Sequence, residues 1–198
     1  MTREVVLSGV RGRTHLVYAA SFLRTLPDEL RVHFLQGPAF LGASVTPDEV
    51  RRYLPEQVSL EMCTSTEDLP PRGPVTYVAV GAPGLRPLFA MRRAQPFRRV
   101  HVVVVDEGLG SYGDRRTRYA AYRRQGGGAM RSAVRAAAVD LGARTLTGTR
   151  WPLYLKDHDW AVFEPVAQEF RRALGPIDPT TADARRAVFL SQPWVDLG

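Results

Sequence analysis

Apolar and polar positions alternate along this chain in two periods. Short runs rich in Val, Leu and Phe recur at 4–9, 31–36, 58–62, 75–80 and 100–105, each the length of a strand. Between them lie stretches with helical spacing. In 15–26, Leu16, Ala19, Ala20 and Leu23 fall at i, i+3, i+4 and i+7, and Pro27 ends the pattern. Thr46 followed by Pro47 begins a short helix with an N-cap and proline at N1. The segment 64–74 reads as a Pro/Thr-rich loop, and 85–94 as a further helix. Strands that alternate with helices of this length need crossover connections, which give a parallel sheet. The pattern therefore predicts an α/β fold, a Rossmann-like parallel sheet flanked by helices, with no internal repeat.

The fifth run holds the most chemistry. Val102, Val103, Val104 and Val105 are too uniformly apolar for a half-exposed strand and predict one buried on both faces. The run stops at Asp106 and Glu107, and Gly108, Gly110 and Gly113 follow. In open α/β sheets ligands bind in the crevice beyond the carboxyl ends of the strands. A carboxylate pair there, on a turn loosened by glycine, is a candidate general base. The same two acids also suit a plain strand end that caps the next helix, and residue types alone leave both readings open.

Gly108 to Gly113 also matches the G-x-G-x-x-G spacing of dinucleotide-binding turns. Three features oppose that reading. The fingerprint normally follows the first strand, two carboxylates here would repel a pyrophosphate, and no acid lies about 20 positions on in a strand. The first strand has its own turn, where Arg11, Arg13, Thr14 and His15 sit at the same sheet edge as Asp106. Arginine forks and helix N–H groups at that place suit an anionic ligand. A basic turn is equally ordinary in an arginine-biased chain.

Beyond the acidic turn the character changes. The segment 114–124 carries five arginines among Tyr119, Ala120, Ala121 and Tyr122, then Gly126, Gly127 and Gly128 interrupt a helical pattern that resumes over 129–141. This reads either as two solvated helices with a flexible joint or as a basic, mobile lid suited to an anionic partner. A strand-like piece at 151–155 and a helix at 163–174 follow, then a linker at 175–179 and a fresh strand at 187–190. The expected organisation is one domain over 1–178, with 179–198 as linker and first strand of a truncated second domain.

Composition narrows the class. The chain has 198 residues, 44% of them hydrophobic and 24% charged, which is ordinary for a water-soluble domain. No apolar run reaches the ~18 residues of a membrane span, and the N-terminus enters a strand without a signal-peptide core. With Cys63 as the only cysteine, no internal disulfide or cysteine-based zinc cluster can form, and a reducing cytoplasm is expected. The net charge of +7 comes from 27 basic residues of which Lys156 alone is lysine. That skew reads as codon bias and gives no support to nucleic-acid binding, although a basic surface attracts anionic ligands and membrane surfaces.

Other residues carry less. His101 reads as a core or edge histidine of the fifth strand. Ser8 and Ser111 lie outside any G-x-S-x-G turn and have no histidine placed as partner, which argues against a hydrolase. Tyr112 either lines a pocket or packs behind the turn. Trp151, Trp160 and Trp194 read as core or interface anchors.

Two pieces together are similar to a known family. Asp106-Glu107-Gly108, with the following Leu-Gly-Ser-Tyr112, resembles the acidic-acidic-glycine motif of bacterial sialyltransferases, closest to the polysialyltransferase and lipooligosaccharide sialyltransferase branch. Val188-Phe-Leu-Ser-Gln-Pro193 resembles the strand and turn that open the nucleotide-binding domain of those enzymes. The resemblance spans 1–198 as an N-terminal half. It implies a two-domain GT-B-type glycosyltransferase that moves sialic acid from CMP-sialic acid to a glycan hydroxyl, with inversion and without a metal or other cofactor. Asp106 would be the base, Glu107 a supporting acid and Gly108 the point where backbone turns close to substrate. Arg11, Arg13, Thr14, His15, Gly110, Ser111 and Tyr112 would be acceptor contacts. The expected partners are a glycan acceptor and a missing C-terminal nucleotide-sugar domain, with an anionic membrane surface as a further one. One departure stands out: the family's His-Pro motif and Ser/Thr pair bind the CMP phosphate, yet His15, His33, His101 and His158 precede Leu, Phe, Val and Asp. Residues 1–198 alone are therefore expected to be inactive. The competing expectation is a non-catalytic α/β binding module for an anionic ligand or partner.

Overall fold

A computed structural model of the chain describes residues 2–27, 29–37, 45–69, 73–82, 85–94, 99–108 and 114–175. The strands are β1 (Thr2–Ser8), β2 (Glu29–Leu35), β3 (Val58–Cys63), β4 (Val75–Val80), β5 (Val100–Val105) and β6 (Thr149–Trp151), followed by the short β7 (Tyr154–Leu155) and β8 (Ala161–Val162). The helices are α1 (Arg13–Leu23), α2 (Pro47–Tyr53), α3 (Leu85–Ala94), α4 (Arg115–Arg124), α5 (Ala129–Leu146) and α6 (Glu164–Leu174). The first six strands form one parallel sheet in the order β3-β2-β1-β4-β5-β6, and β7 pairs antiparallel with β8. The architecture is α/β and Rossmann-like, as the alternating periods predict.

The central strands are buried on both faces, and the pleat sorts their side chains. Val5, Leu7, Val78, Val80, Val103 and Val105 point to one face, where Leu16 and Leu23 of α1, Val50 of α2 and Val166 of α6 cover them. Val6, Tyr77, Ala79, Val102 and Val104 point to the other, against Leu88 and Met91 of α3. This two-sided burial is why β4 and β5 are continuous apolar runs. Edge strand β3 alternates instead between exposed and half-buried residues up to the buried Cys63. At α2 the expected N-cap is a full capping box: Thr46 Oγ1 accepts from the Glu49 N–H at 3.2 Å, and Glu49 Oε2 accepts from the Thr46 N–H at 3.1 Å.

Several boundaries differ from the sequence expectation. Helix α1 stops at Leu23, and α5 runs on past 141 to Leu146, with Gly142 buried inside it. The strand piece expected at 151–155 is two strands, because the chain leaves the sheet after Trp151 and turns to pair as β7. His101 is exposed near the start of β5 rather than in the core, and its Nε2 lies 3.0 Å from Thr149 Oγ1. The strand expected at 187–190, the 188–193 motif and Trp194 lie outside the described residues.

The strand order sets the position of any site. The chain builds outward from β1 to β3, then returns to the other side of β1 for β4, so the crossovers diverge between β1 and β4. A crevice opens at such a reversal, beyond the strand carboxyl ends.

Candidate functional site

Two glycines let the strand ends approach at this reversal. Gly9 leaves β1 at φ +79, and a Cβ there would lie 2.7 Å from the Val80 carbonyl oxygen. Only glycine permits both the conformation and the contact. Gly81 leaves β4 at φ +84 and donates its N–H to Val105 O at 2.8 Å. A Cβ on Gly81 would lie 2.5 Å from Glu107 Cδ, so the Glu107 carboxylate rests against a surface kept bare by the missing side chain.

The two acids that end β5 have different surroundings, as successive residues of an extended chain point opposite ways. Asp106 is 1% exposed. Its N–H donates to Trp151 O at 3.0 Å, and both carboxylate oxygens accept from Arg150 Nε, at 3.0 and 3.2 Å. Its charge is matched inside the fold by a half-exposed arginine of β6. The Glu107 side chain is 39% exposed, and its Oε2 lies 3.8 Å from His15 Nε2.

His15 reaches Glu107 from the first turn of α1. Its Nδ1 accepts the Arg11 backbone N–H at 3.1 Å, which leaves the proton of a neutral ring on Nε2, toward Glu107. Burial pushes the imidazole pKa down, opposed by the Glu107 charge and assisted by that of Arg11. Tyr18 lies one turn further along, with ring centroids 6.2 Å apart. Its phenol is pushed up to about 12, first by burial and then by Tyr154 and Glu107. Glu107 thus stands near an imidazole and a phenol that are both uncharged at neutral pH.

The acidic turn opens on a cleft of about 760 Å³ between the ends of β5 and β6 and the hairpin of α4 and α5. Asp106, Glu107, Arg118, Asp140, Arg144 and Arg150 contribute to its walls. Asp140 takes Arg118 at 3.3 Å and Arg144 at 3.0 Å, so charges of both signs face the cleft in pairs. Asp114 belongs to the same wall and caps α4, with Oδ1 accepting from the Thr117 N–H at 2.8 Å. That bond and the Thr117 hydroxyl hold its carboxyl below the usual carboxylate range.

Among the residues expected at a site, the structure brings together Asp106, Glu107 and His15, with Arg11 joined through its backbone. Gly108 follows at φ +144 with open space where a side chain would stand. Arg13 turns instead to Glu49, 2.6 Å away, and ties α1 to α2. Thr14 is exposed in the first turn of α1. Gly110, Ser111 and Tyr112 lie outside the described residues. Ser8 is buried with its hydroxyl 2.8 Å from that of Tyr77, away from any nucleophilic arrangement.

Four contributors escaped the sequence reading. Gly9 was visible as the last residue of the expected first strand and Gly81 as the glycine after the fourth, a signal that gains meaning only once β1, β4 and β5 are neighbours. Tyr18 carried a weak signal, three residues after His15 on a helix. Arg150 carried none.

The arrangement offers an accessible carboxylate with a neighbouring N–H donor, which suits proton transfer from a bound hydroxyl. Among the described residues no group of three or more His, Cys, Asp or Glu could hold a metal ion, and no helix is long and apolar enough to cross a membrane. No protein-family model, curated protein or solved structure gives a significant match to the chain.

Proposed function

We propose that this chain is the acceptor-side domain of a sialyltransferase-like glycosyltransferase, inverting and metal-independent, with the 106–108 turn as its acidic centre. The observation that carries the reading is Glu107: a solvent-reachable carboxylate at the end of a central strand, seated on Gly81 and faced by His15, at the rim of a polar cleft. The difference in exposure between the two carboxylates supports exchanging the roles that the family resemblance implies. Asp106, spent on Arg150, is a positioning residue; Glu107 is the base.

In this mechanism the acceptor hydroxyl gives its proton to a Glu107 oxygen as its own oxygen bonds to the anomeric carbon. The bond from that carbon to the phosphate oxygen of CMP breaks, and the electron pair leaves with CMP. The sugar passes through an oxocarbenium-like state whose positive charge a nearby carboxylate favours. His15 Nε2 faces Glu107 from 3.8 Å, and Gly81 gives the carboxylate its seat. CMP-sialic acid is held by the nucleotide-sugar domain that the resemblance implies.

A second reading, an α/β binding module without catalysis, draws support from the paired charges of the cleft. Asp106–Arg150 and the Asp140 pairs leave few uncompensated groups for chemistry. The discriminating measurement is sialyl transfer from CMP-sialic acid to galactose- and sialic acid-terminated acceptors, on the longest product of the reading frame that contains residues 1–198. Glu107→Gln is expected to lower kcat about 10²–10⁴-fold with Tm unchanged. Asp106→Asn is expected to lower Tm and kcat together. Absence of transfer, with saturable ligand binding indifferent to Glu107→Gln, would establish the binding module instead.

A further inference from the structure

We infer that the joint between α4 and α5 is an oxyanion site that takes a phosphate-type group, separate from the acidic turn and independent of the glycosyltransferase reading. The joint is Gly126-Gly127-Gly128, and it opens into a small pocket of about 180 Å³ with Tyr122, Arg131, Ser132 and Arg135 on its walls. Gly128 is the N-cap of α5, an 18-residue helix with no side-chain cap and no acid in its first turn. The backbone N–H groups of its first turn lack the usual side-chain acceptor, and Arg131, Ser132 and Arg135 of the same helix line the pocket.

Ser132 points to a ligand independently. It is 2% exposed, and its hydroxyl oxygen is buried with no hydrogen-bond partner among the described residues. Its backbone N–H is already used, donating to Gly128 O at 2.9 Å. A buried hydroxyl left unpaired is costly, so a lone one on a pocket wall calls for an acceptor. Gly127 packs close beside it: a Cβ there would lie 2.6 Å from Ser132 Oγ and 2.8 Å from Tyr122 O, so a side chain at 127 would crowd the hydroxyl.

Three arginines surround the joint. Arg123 Nη1 donates to Gly127 O at 2.9 Å and fixes the loop from outside the pocket. Arg135 stacks over the Tyr122 ring, 4.3 Å from its centroid, while Arg131 stands exposed at the rim. A buried hydroxyl able to donate and two guanidinium groups, at the start of a helix, select an acceptor carrying negative charge. A tetrahedral oxyanion fits that set, and a cation does not. The phosphate can belong to a soluble metabolite or to a lipid headgroup.

The test uses the full chain with inorganic phosphate and pyrophosphate at constant ionic strength, read by calorimetric titration and by the rise in Tm that binding produces. A parallel arm measures co-sedimentation with phosphatidylcholine vesicles with and without phosphatidic acid. Ser132→Ala is expected to weaken binding about tenfold while the free protein keeps its helical circular dichroism and Tm. Arg131→Gln, an exposed change with no folding consequence, is expected to weaken it as well. Glu107→Gln is expected to leave it unchanged, which separates this site from the acidic turn. Ser132-dependent binding of the free anions supports the proposal and identifies a soluble ligand; Ser132-dependent binding to phosphatidic acid vesicles alone supports it and identifies a headgroup. Binding in neither arm, or binding that Ser132→Ala leaves intact, overturns it.

Discussion

His15 joins the acidic turn to the stability of the fold. Burial lowers its pKa below 6.5, and the facing groups are Glu107 from the end of β5, Arg11 from the β1–α1 turn and Tyr18 on its own helix. The native state therefore prefers the neutral ring. As pH falls through 6.5 the unfolded chain takes up a proton before the folded one does. The residue's contribution is full above that pH and is lost as pH falls through the lower folded value. Urea midpoints between pH 7 and 5 are expected to decline less steeply in His15→Asn, whose side-chain oxygen can still accept the Arg11 N–H. An unchanged slope in that variant would assign the acid sensitivity to other groups. At this scale the sequence was informative where chemistry is local. Asp106, Glu107 and His15 announce themselves as polar residues directly after apolar runs or at a helix start. Arg150 and Gly81 act across strand pairings, and no spacing along the chain reports those.

The helices show the same division. All six were legible from period and punctuation, but the lock between α1 and α6 was not. Trp151 sits between Phe22 and Phe163, with ring centroids 5.4 and 5.0 Å away, and donates its Nε1–H to Ser21 Oγ at 2.9 Å. Phe170 of α6 meets the Tyr18 ring edge-on at 5.8 Å. In the middle of this apolar contact lies Glu169, 3% exposed, held by Arg24 Nε at 2.5 Å and Arg172 Nη1 at 3.1 Å. By its side-chain type alone Glu169 belongs on a solvated face; its burial depends on Arg24, which caps the C-terminus of α1, far away in sequence. Removing one partner of a buried ion pair leaves the other uncompensated. Glu169→Ala is expected to cost about 3 kcal/mol in urea unfolding, the low end of that class, because Arg24 keeps some solvent. Arg172→Ala, which removes the more exposed partner, is expected to cost under about 1 kcal/mol. Equal losses in the two variants would mean that α6 is held by its apolar face alone. That lock also carries Tyr18, and hence one wall of the Glu107 site, so loosening α6 reaches the acidic turn without touching it.

Across the whole molecule, packing is uneven in a way that bears on the cleft. Val5, Val6 and Leu7 of β1 and Tyr77, Val78 and Ala79 of β4 are fully buried. On the opposite wall α4 has no buried residue, and α5 buries only Ser132, Ala136 and Gly142 while Met130, Val134 and Leu141 stand exposed. The class of fold was readable because two-sided burial imposes continuous apolar strands. The strand order was not, since the reversal between β1 and β4 depends on which edge each crossover returns to. That reversal is what gathers Gly9, Gly81 and Glu107, so the site became visible only with the sheet. The same imbalance sets a hierarchy of opening. Segments with few buried apolar contacts open at low free energy, whereas core strands exchange only on global unfolding. Amide hydrogen exchange is expected to label α4 first, then the N-terminal turns of α5, and β1, β4 and β5 last. Phosphate is expected to slow exchange in the first turn of α5 but not in α1, because the oxyanion site lies at the α4–α5 joint and takes no residue from α1. Exchange in α4 as slow as in β4 would make the hairpin a fixed wall, and ligands would then have to enter the cleft without its movement.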